Sequence, residues 1–182
     1  MRKALHATKI KTALGETEWT VAWLGRSEGG NGVTGGDNRI TGCSGKPTGV
    51  TDGTIAAQGF RMENFITTTG KMRYDDSFRP AEGTNLISQG GKSYSSTWVR
   101  VPSSVQRARQ RIVDHGRTSP WYSSRAMDGV VYLQAWTDKI VVQPDGATLE
   151  TQFLDASGQP VEIPGSNGLT STQPIWGIQA SK

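Results

Sequence analysis

Nucleophilic or acid–base chemistry near neutral pH calls first on histidine and cysteine, and this chain offers only His6, His115 and Cys43. His6 lies in a stretch that carries Arg2, Lys3, Lys9 and Lys11 against Glu16, which reads as a basic N-terminal arm over 1–16. His115 ends a segment read below as a helix. A protonated imidazole there meets the negative end of the helix dipole, which is a structural use. Cys43 stands in Gly42-Cys43-Ser44-Gly45, which is not a G-x-S-x-G elbow, and nothing in the sequence marks a base for it. A single cysteine also excludes an internal disulfide and a cysteine-based metal cluster. Asp75-Asp76 could ligate a cation, but a lone acidic pair reads more readily as a solvated loop. Paired carboxylates for glycoside chemistry leave no spacing signature.

Phosphate-cradling loops fare no better. Gly30-Asn31-Gly32-Val33-Thr34-Gly35 matches G-x-G-x-x-G, yet Gly36-Asp37-Asn38-Arg39 follows where a helix is required. Gly90-Gly91-Lys92-Ser93 resembles the end of a phosphate loop, but Leu86 stands where the motif needs glycine and strand-forming residues follow. Catalytic, cofactor and metal residues are therefore expected to be none, and the chain is not expected to be an enzyme.

The strongest local bias is cationic. Residues 97–128 hold six arginines (100, 107, 109, 111, 117 and 125) against Asp114 and Asp128. Residues 129–182 run the other way, with two lysines against five acids. Arg107, Arg109, Arg111 and Arg117 could fork onto phosphates, or dock the acidic C-terminal half of the same chain or a neighbour. The second use is preferred to the first, because interfaces favour Arg over Lys, and a merely solvated face fits the pattern equally well. Trp121 and Tyr122, after Pro120, and Trp176 complete the interaction candidates. Exposed, such rings stack on sugars or bases; buried, they fill a core.

These residues need elements to hold them. Val105, Ala108, Ile112 and Val113 fall at i, i+3, i+7 and i+8, with Ser103 or Ser104 before them and Gly116 after. That spacing predicts one short amphipathic helix over 104–115, with the arginines on its other faces. The rest reads as β. Trp19 to Leu24, Phe65 to Thr69 and Tyr94 to Val101 are strand candidates. Val130 to Trp136 is apolar on both faces, which predicts a central strand. Pro144-Asp145-Gly146 and Asp155-Ala156-Ser157-Gly158 are turns, and between them Leu149, Thr151 and Phe153 share one strand face. Val161 and Ile163, bracketed by Pro160 and Pro164, make a short return strand near an edge.

The expected fold is mainly β: an antiparallel sandwich or barrel, one domain over 1–182, with a Gly-rich loop segment (25–59) and an extended C-terminal tail (165–182). Leu, Ile, Val and Phe number only 34 of the 182 residues, so the core is thin and six Trp and four Tyr must help fill it. Thin cores are often finished by neighbours. The 23 glycines raise the entropic cost of folding, which burial in an assembly offsets.

No apolar run is long enough to span a membrane, and polar residues interrupt any signal-peptide core, so the expected location is a virion or the cytoplasm. Composition and the absence of a catalytic motif point to a structural subunit of a multi-protein assembly, such as a head, neck or tail component of a virus or bacteriophage particle. Its expected partners are further copies of itself and other subunits. Three readings compete: a glycan-binding or adhesion module using exposed aromatics, a nucleic-acid-binding protein using the Arg-rich helix and N-terminal arm, and a hydrolase with unrecognised carboxylates.

Overall fold

The computed structural model describes residues 4–11, 15, 17–24, 40–45, 78–139, 141 and 145–180. The chain divides into two compact units, Met1–Asp76 and Ser77–Lys182. Most of the Gly-rich segment, the G-x-G-x-x-G match, the strand expected at Phe65 to Thr69, and Asp75-Asp76 lie outside the described residues.

The first unit contains an antiparallel sheet of β1 (Ala4–Lys11), β2 (Thr17–Leu24) and β3 (Ile40–Gly45), in that order. The stretch read as a basic arm thus supplies a strand. Lys9 lies opposite Trp19, with its Nζ 5.5 Å from the ring centroid. The Thr20 hydroxyl donates to the Thr8 carbonyl at 3.3 Å.

The second unit holds β4 (Thr84–Gln89), β5 (Lys92–Arg100), β6 (Arg107–Asp114), β7 (Arg117–Thr118), β8 (Tyr122–Arg125), β9 (Val130–Thr137), β10 (Thr148–Leu154), β11 (Pro160–Val161) and β12 (Ser171–Ala180). They form one nine-stranded sheet ordered β7-β6-β10-β12-β4-β5-β9, with β8 also on β6 and β11 on β10. Every pair is antiparallel except β12 with β4. Among the described residues there is no α-helix; a single 3-10 turn spans Pro80–Glu82.

The helix expected over 104–115 is β6 instead. Its burial alternates, with Ala108, Gln110 and Ile112 inside and Arg107, Arg109 and Arg111 on the other side. Period two therefore overrides the helical spacing of the apolar residues. Val105 belongs to the turn before the strand, where its N–H reaches the Pro102 carbonyl at 3.0 Å. The expected helix end, His115-Gly116, is a two-residue hairpin turn with φ of 47° and 78°. Both φ values are positive, as the tight turn matching strand twist requires. Gly90-Gly91 makes the same kind of turn between β4 and β5, with φ of 60° and 77°.

β9 is apolar on both sides but ends the sheet order rather than sitting at its centre. Its burial comes from curvature: the sheet curls into a half-barrel that brings β9 against β6 and β8. The tail expected over 165–182 contains β12, which lies between β10 and β4. Ser171 to Pro174 pair antiparallel with β10, and Ile175 to Ala180 pair parallel with β4.

The concave side carries the core in two parts. One gathers Val99, Val101, Ala108, Val131, Leu133 and Phe153, with Phe78 edge-on to Phe153 at 5.0 Å. The other gathers Leu86, Ile112, Ala135, Val141, Leu149 and Ile175. On the middle strands β6, β10 and β12, buried Gln110, Thr151 and Ser171 form a polar row in register. Gln110 Nε2 donates to Thr151 Oγ1 at 3.1 Å. The expected inward set Leu149, Thr151 and Phe153 is observed, each 1 % exposed. The turn at Asp155 to Gly158 is also present, closed by the Gly158 N–H on the Asp155 carbonyl at 3.1 Å.

Candidate functional site

The outward side of β6 places Arg107, Arg109 and Arg111 in one row, flanked by β8 on one side and β10 on the other. Successive outward side chains on a strand stand roughly 6.5 to 7 Å apart, so the row is about 14 Å long. Cross-strand neighbours decide what each arginine meets.

Arg111 is opposite Glu150, and the two form a short fork: Nε and Nη2 lie 2.7 Å and 2.6 Å from Glu150 Oε2. Both side chains are partly withdrawn from water, which strengthens a charge-assisted bond over an exposed pair. Arg109 is opposite Gln152 and donates its Nε to Gln152 Oε1 at 2.8 Å. Gln152 is itself oriented through Nε2 onto Thr170 Oγ1 at 2.6 Å. Trp121 lies across both arginines, its ring centroid 4.9 Å from the Arg109 guanidinium carbon and 4.4 Å from that of Arg111. The ring quadrupole attracts both cations and helps hold them flat.

Arg107 has a different setting. Its cross-strand neighbours are Arg125 on β8 and Leu154 on β10. Both arginines are exposed, and among the described residues neither has a carboxylate within ion-pair distance.

Three of the expected interaction residues lie elsewhere. Arg117 is on β7, exposed and opposite Asp114. Asp114 Oδ1 is 2.6 Å from His115 Nδ1 in the exposed turn. The nearby Ser119 hydroxyl accepts from the Ile112 N–H at 3.0 Å and donates to the Pro120 carbonyl at 3.1 Å, so it serves the backbone.

Tyr122 pairs with Gln110 in register and packs inward against the Leu86–Ile112 cluster. It stacks on Trp136 at 3.5 Å with 26° between planes. Burial first, and the Asp138 charge second, push its hydroxyl up to about 12. Tyr122 and Trp121, neighbours in sequence, therefore serve opposite sides of the sheet and form no common aromatic platform.

Trp176 sits at the irregularity in β12, between Ile175 and Gly177, and is 64 % exposed. Its ring lies over Gly83, where φ is +65° and an added Cβ would fall 2.2 Å from the indole.

Glu150 and Gln152 stand outside the candidates read from the sequence, and Arg125 enters that reading only as one of the six arginines of residues 97–128. Their signal was alternation: Glu150 and Gln152 interleave with the inward Leu149, Thr151 and Phe153 and so must face outward. Arg125 needed the β6–β8 register, which only the fold supplies. Among the described residues, no group of three or more His, Cys, Asp or Glu could hold a metal ion. Among them, too, no helix is long and apolar enough to cross a membrane. No protein-family model matches the chain, and neither a curated protein nor a solved structure matches it significantly.

Proposed function

We propose that the chain is a structural subunit of a multi-protein assembly that works through subunit contacts, with a barrel-like β body. The observation that carries this reading is Trp176. A protein with few aliphatic residues leaves one of its six tryptophans 64 % exposed, mounted on a strand irregularity and backed by Gly83. Leu169, 54 % exposed, precedes the same strand. Tryptophan in such a position contributes most when a neighbour covers it, and it is among the residues richest in contact hot spots. The neighbours are further copies of the chain or other subunits. The finer setting, a virus or bacteriophage particle, rests on composition: abundant glycine, one cysteine and no catalytic motif.

The competing readings draw less support. Glycan binding lacks a shared platform at Trp121 and Tyr122. A nucleic-acid track along β6 would meet the Glu150 carboxylate at Arg111.

Light scattering behind a sizing column, with absorbance at 260 and 280 nm, tests the assembly reading. The expected result is a discrete oligomer free of nucleic acid, with Trp176→Ala shifting it towards monomer while the fold survives. A monomer at every salt and protein concentration would sink the reading.

A further inference from the structure

We infer that Arg107 and Arg125 form a docking site for acidic side chains of a protein segment presented by a neighbouring subunit. The inference rests on the assembly reading, because it names what that neighbour brings. It starts from a local cost. Directly opposed side chains in an antiparallel pair stand roughly 4.5 to 5.5 Å apart at their Cα atoms, and like charges there repel. Arg107 and Arg125 occupy such a pair, are both exposed, and have no acid to separate them among the described residues.

The same row shows that a solution was available within the chain. One end places Glu150 beside Arg111, and the middle places Gln152 beside Arg109. Opposite Arg107, where a carboxylate would neutralise the pair, β10 has Leu154. The next acid along, Asp155, has its Oδ1 committed to Ser157 and Gln159 in its own turn. A position that keeps a destabilising like-charge pair, beside two arginines that are satisfied, has the character of a site awaiting its complement.

The chemistry selects the complement. Two adjacent guanidinium forks present several N–H donors towards an oxyanion, and carboxylates match that geometry. Arg109, between them and Arg111, is hydrogen-bonded to neutral Gln152 and covered by Trp121, so Arg107 and Arg125 are the two guanidiniums left open, and the cationic patch ends at the Arg111–Glu150 pair. A continuous phosphate backbone would be drawn to a longer cationic track, and this row is cut short where Glu150 neutralises Arg111. One or two carboxylates on an extended protein segment fit the patch and its charge. An extended chain also repeats its same-side residues at the strand spacing of β6.

The test is a titration of the full chain, isotope-labelled so that arginine Nε–H signals are seen by NMR. The probe is a short capped peptide of alternating Glu and Thr; a Lys and Thr peptide and oligothymidylate are the comparators. The expected result is that the Arg107 and Arg125 signals move with the acidic peptide, those of Arg111 stay, and the Lys peptide does nothing. Arg125→Glu should weaken peptide binding at least tenfold while leaving the thermal midpoint equal to wild type or higher, because it pairs with Arg107. Arg107→Gln, which adds no charge, should weaken binding several-fold and guards against any misfolding of the first variant.

The inference fails if the peptide does not bind, if both variants bind it as wild type does, or if oligothymidylate binds more tightly at the same ionic strength. The two readings fail separately. A chain that assembles but ignores the peptide sinks the docking site alone. A chain that binds the peptide but stays monomeric sinks the assembly reading alone.

Discussion

Arg111 and Arg107 lie on the same strand and the same side, four positions apart, yet their surroundings are opposite. Arg111 is forked onto Glu150, lies against Trp121 and is partly withdrawn from water. Arg107 faces Arg125 in exposed register and meets Leu154 on its other side. The difference teaches that an alternating Arg row is not one surface. The strand supplies the spacing, and the neighbouring strands decide whether a given guanidinium is structural or available. One end of the row is part of the protein's own stability; the other is free for outside use.

The largest effect comes from removing core beneath the row. Ile112 lies beneath the row, 1 % exposed within the Leu86–Leu149 cluster. Ile112→Ala should destabilise the protein by about 2 to 5 kcal/mol in a denaturant titration, because the deleted atoms leave a cavity. If the cost is near zero, the concave side of β6 is not a packed core. Next comes the satisfied end. Glu150→Gln keeps the shape but removes the charge, and should cost about 1 kcal/mol, with a weaker dependence of stability on salt than wild type shows. At the other end, Arg107→Gln relieves repulsion and should leave stability unchanged or raise it by about 0.5 kcal/mol. If Arg107→Gln is as damaging as Glu150→Gln, the contrast between the ends collapses.

How far the sequence anticipated this arrangement follows from which periodicities were clean. The β10 segment alternates from Thr148 to Phe153, so its inward set and the turns at Asp145-Gly146 and Asp155 to Gly158 were legible. The β6 segment was not. Val105, Ala108, Ile112 and Val113 fit a helix, while the inward position between Ala108 and Ile112 is Gln110, which hides the alternation. Arg107, Arg109 and Arg111 alternate strictly, and that pattern carried the correct period. The buried polar row explains why the apolar count misled: Gln110 is satisfied in part by Thr151 from another strand, a partner no local window reveals. β9 misled differently. Two apolar sides usually mean two paired neighbours, but here curvature of the sheet buries an end strand. The candidate site was half legible. Arg107, Arg109, Arg111 and Trp121 do come together, whereas Tyr122 turns inward because its register partner is Gln110. Trp176 and Arg117 belong to other parts of the sheet.

The smallest effect, and the finest probe of the Arg107 end, involves Asp155. Its Oδ1 accepts from the Ser157 hydroxyl at 2.7 Å, the Ser157 N–H at 2.8 Å and the Gln159 N–H at 2.9 Å. The Ser157 hydroxyl first, and the Gln159 amide next, hold the carboxyl below its ordinary value of 3.8. The folded state therefore binds this proton less tightly than the unfolded chain does. The contribution to stability is fully present above 3.8 and declines as pH falls below that value and through the folded one. Asp155→Asn keeps an acceptor in the turn but cannot titrate. Thermal midpoints of the two proteins should differ at neutral pH and converge in acid. A difference that stays constant with pH would mean that the turn uses the oxygen and not the charge. The same variant sharpens the comparison between the two ends. Asp155 is the acid nearest in sequence to Leu154, the cross-strand neighbour of Arg107. If its charge is spent within its own turn, Asp155→Asn leaves acidic-peptide binding unchanged. If binding strengthens instead, Asp155 had been partly neutralising Arg107, and the two ends of the row differ in degree rather than in kind.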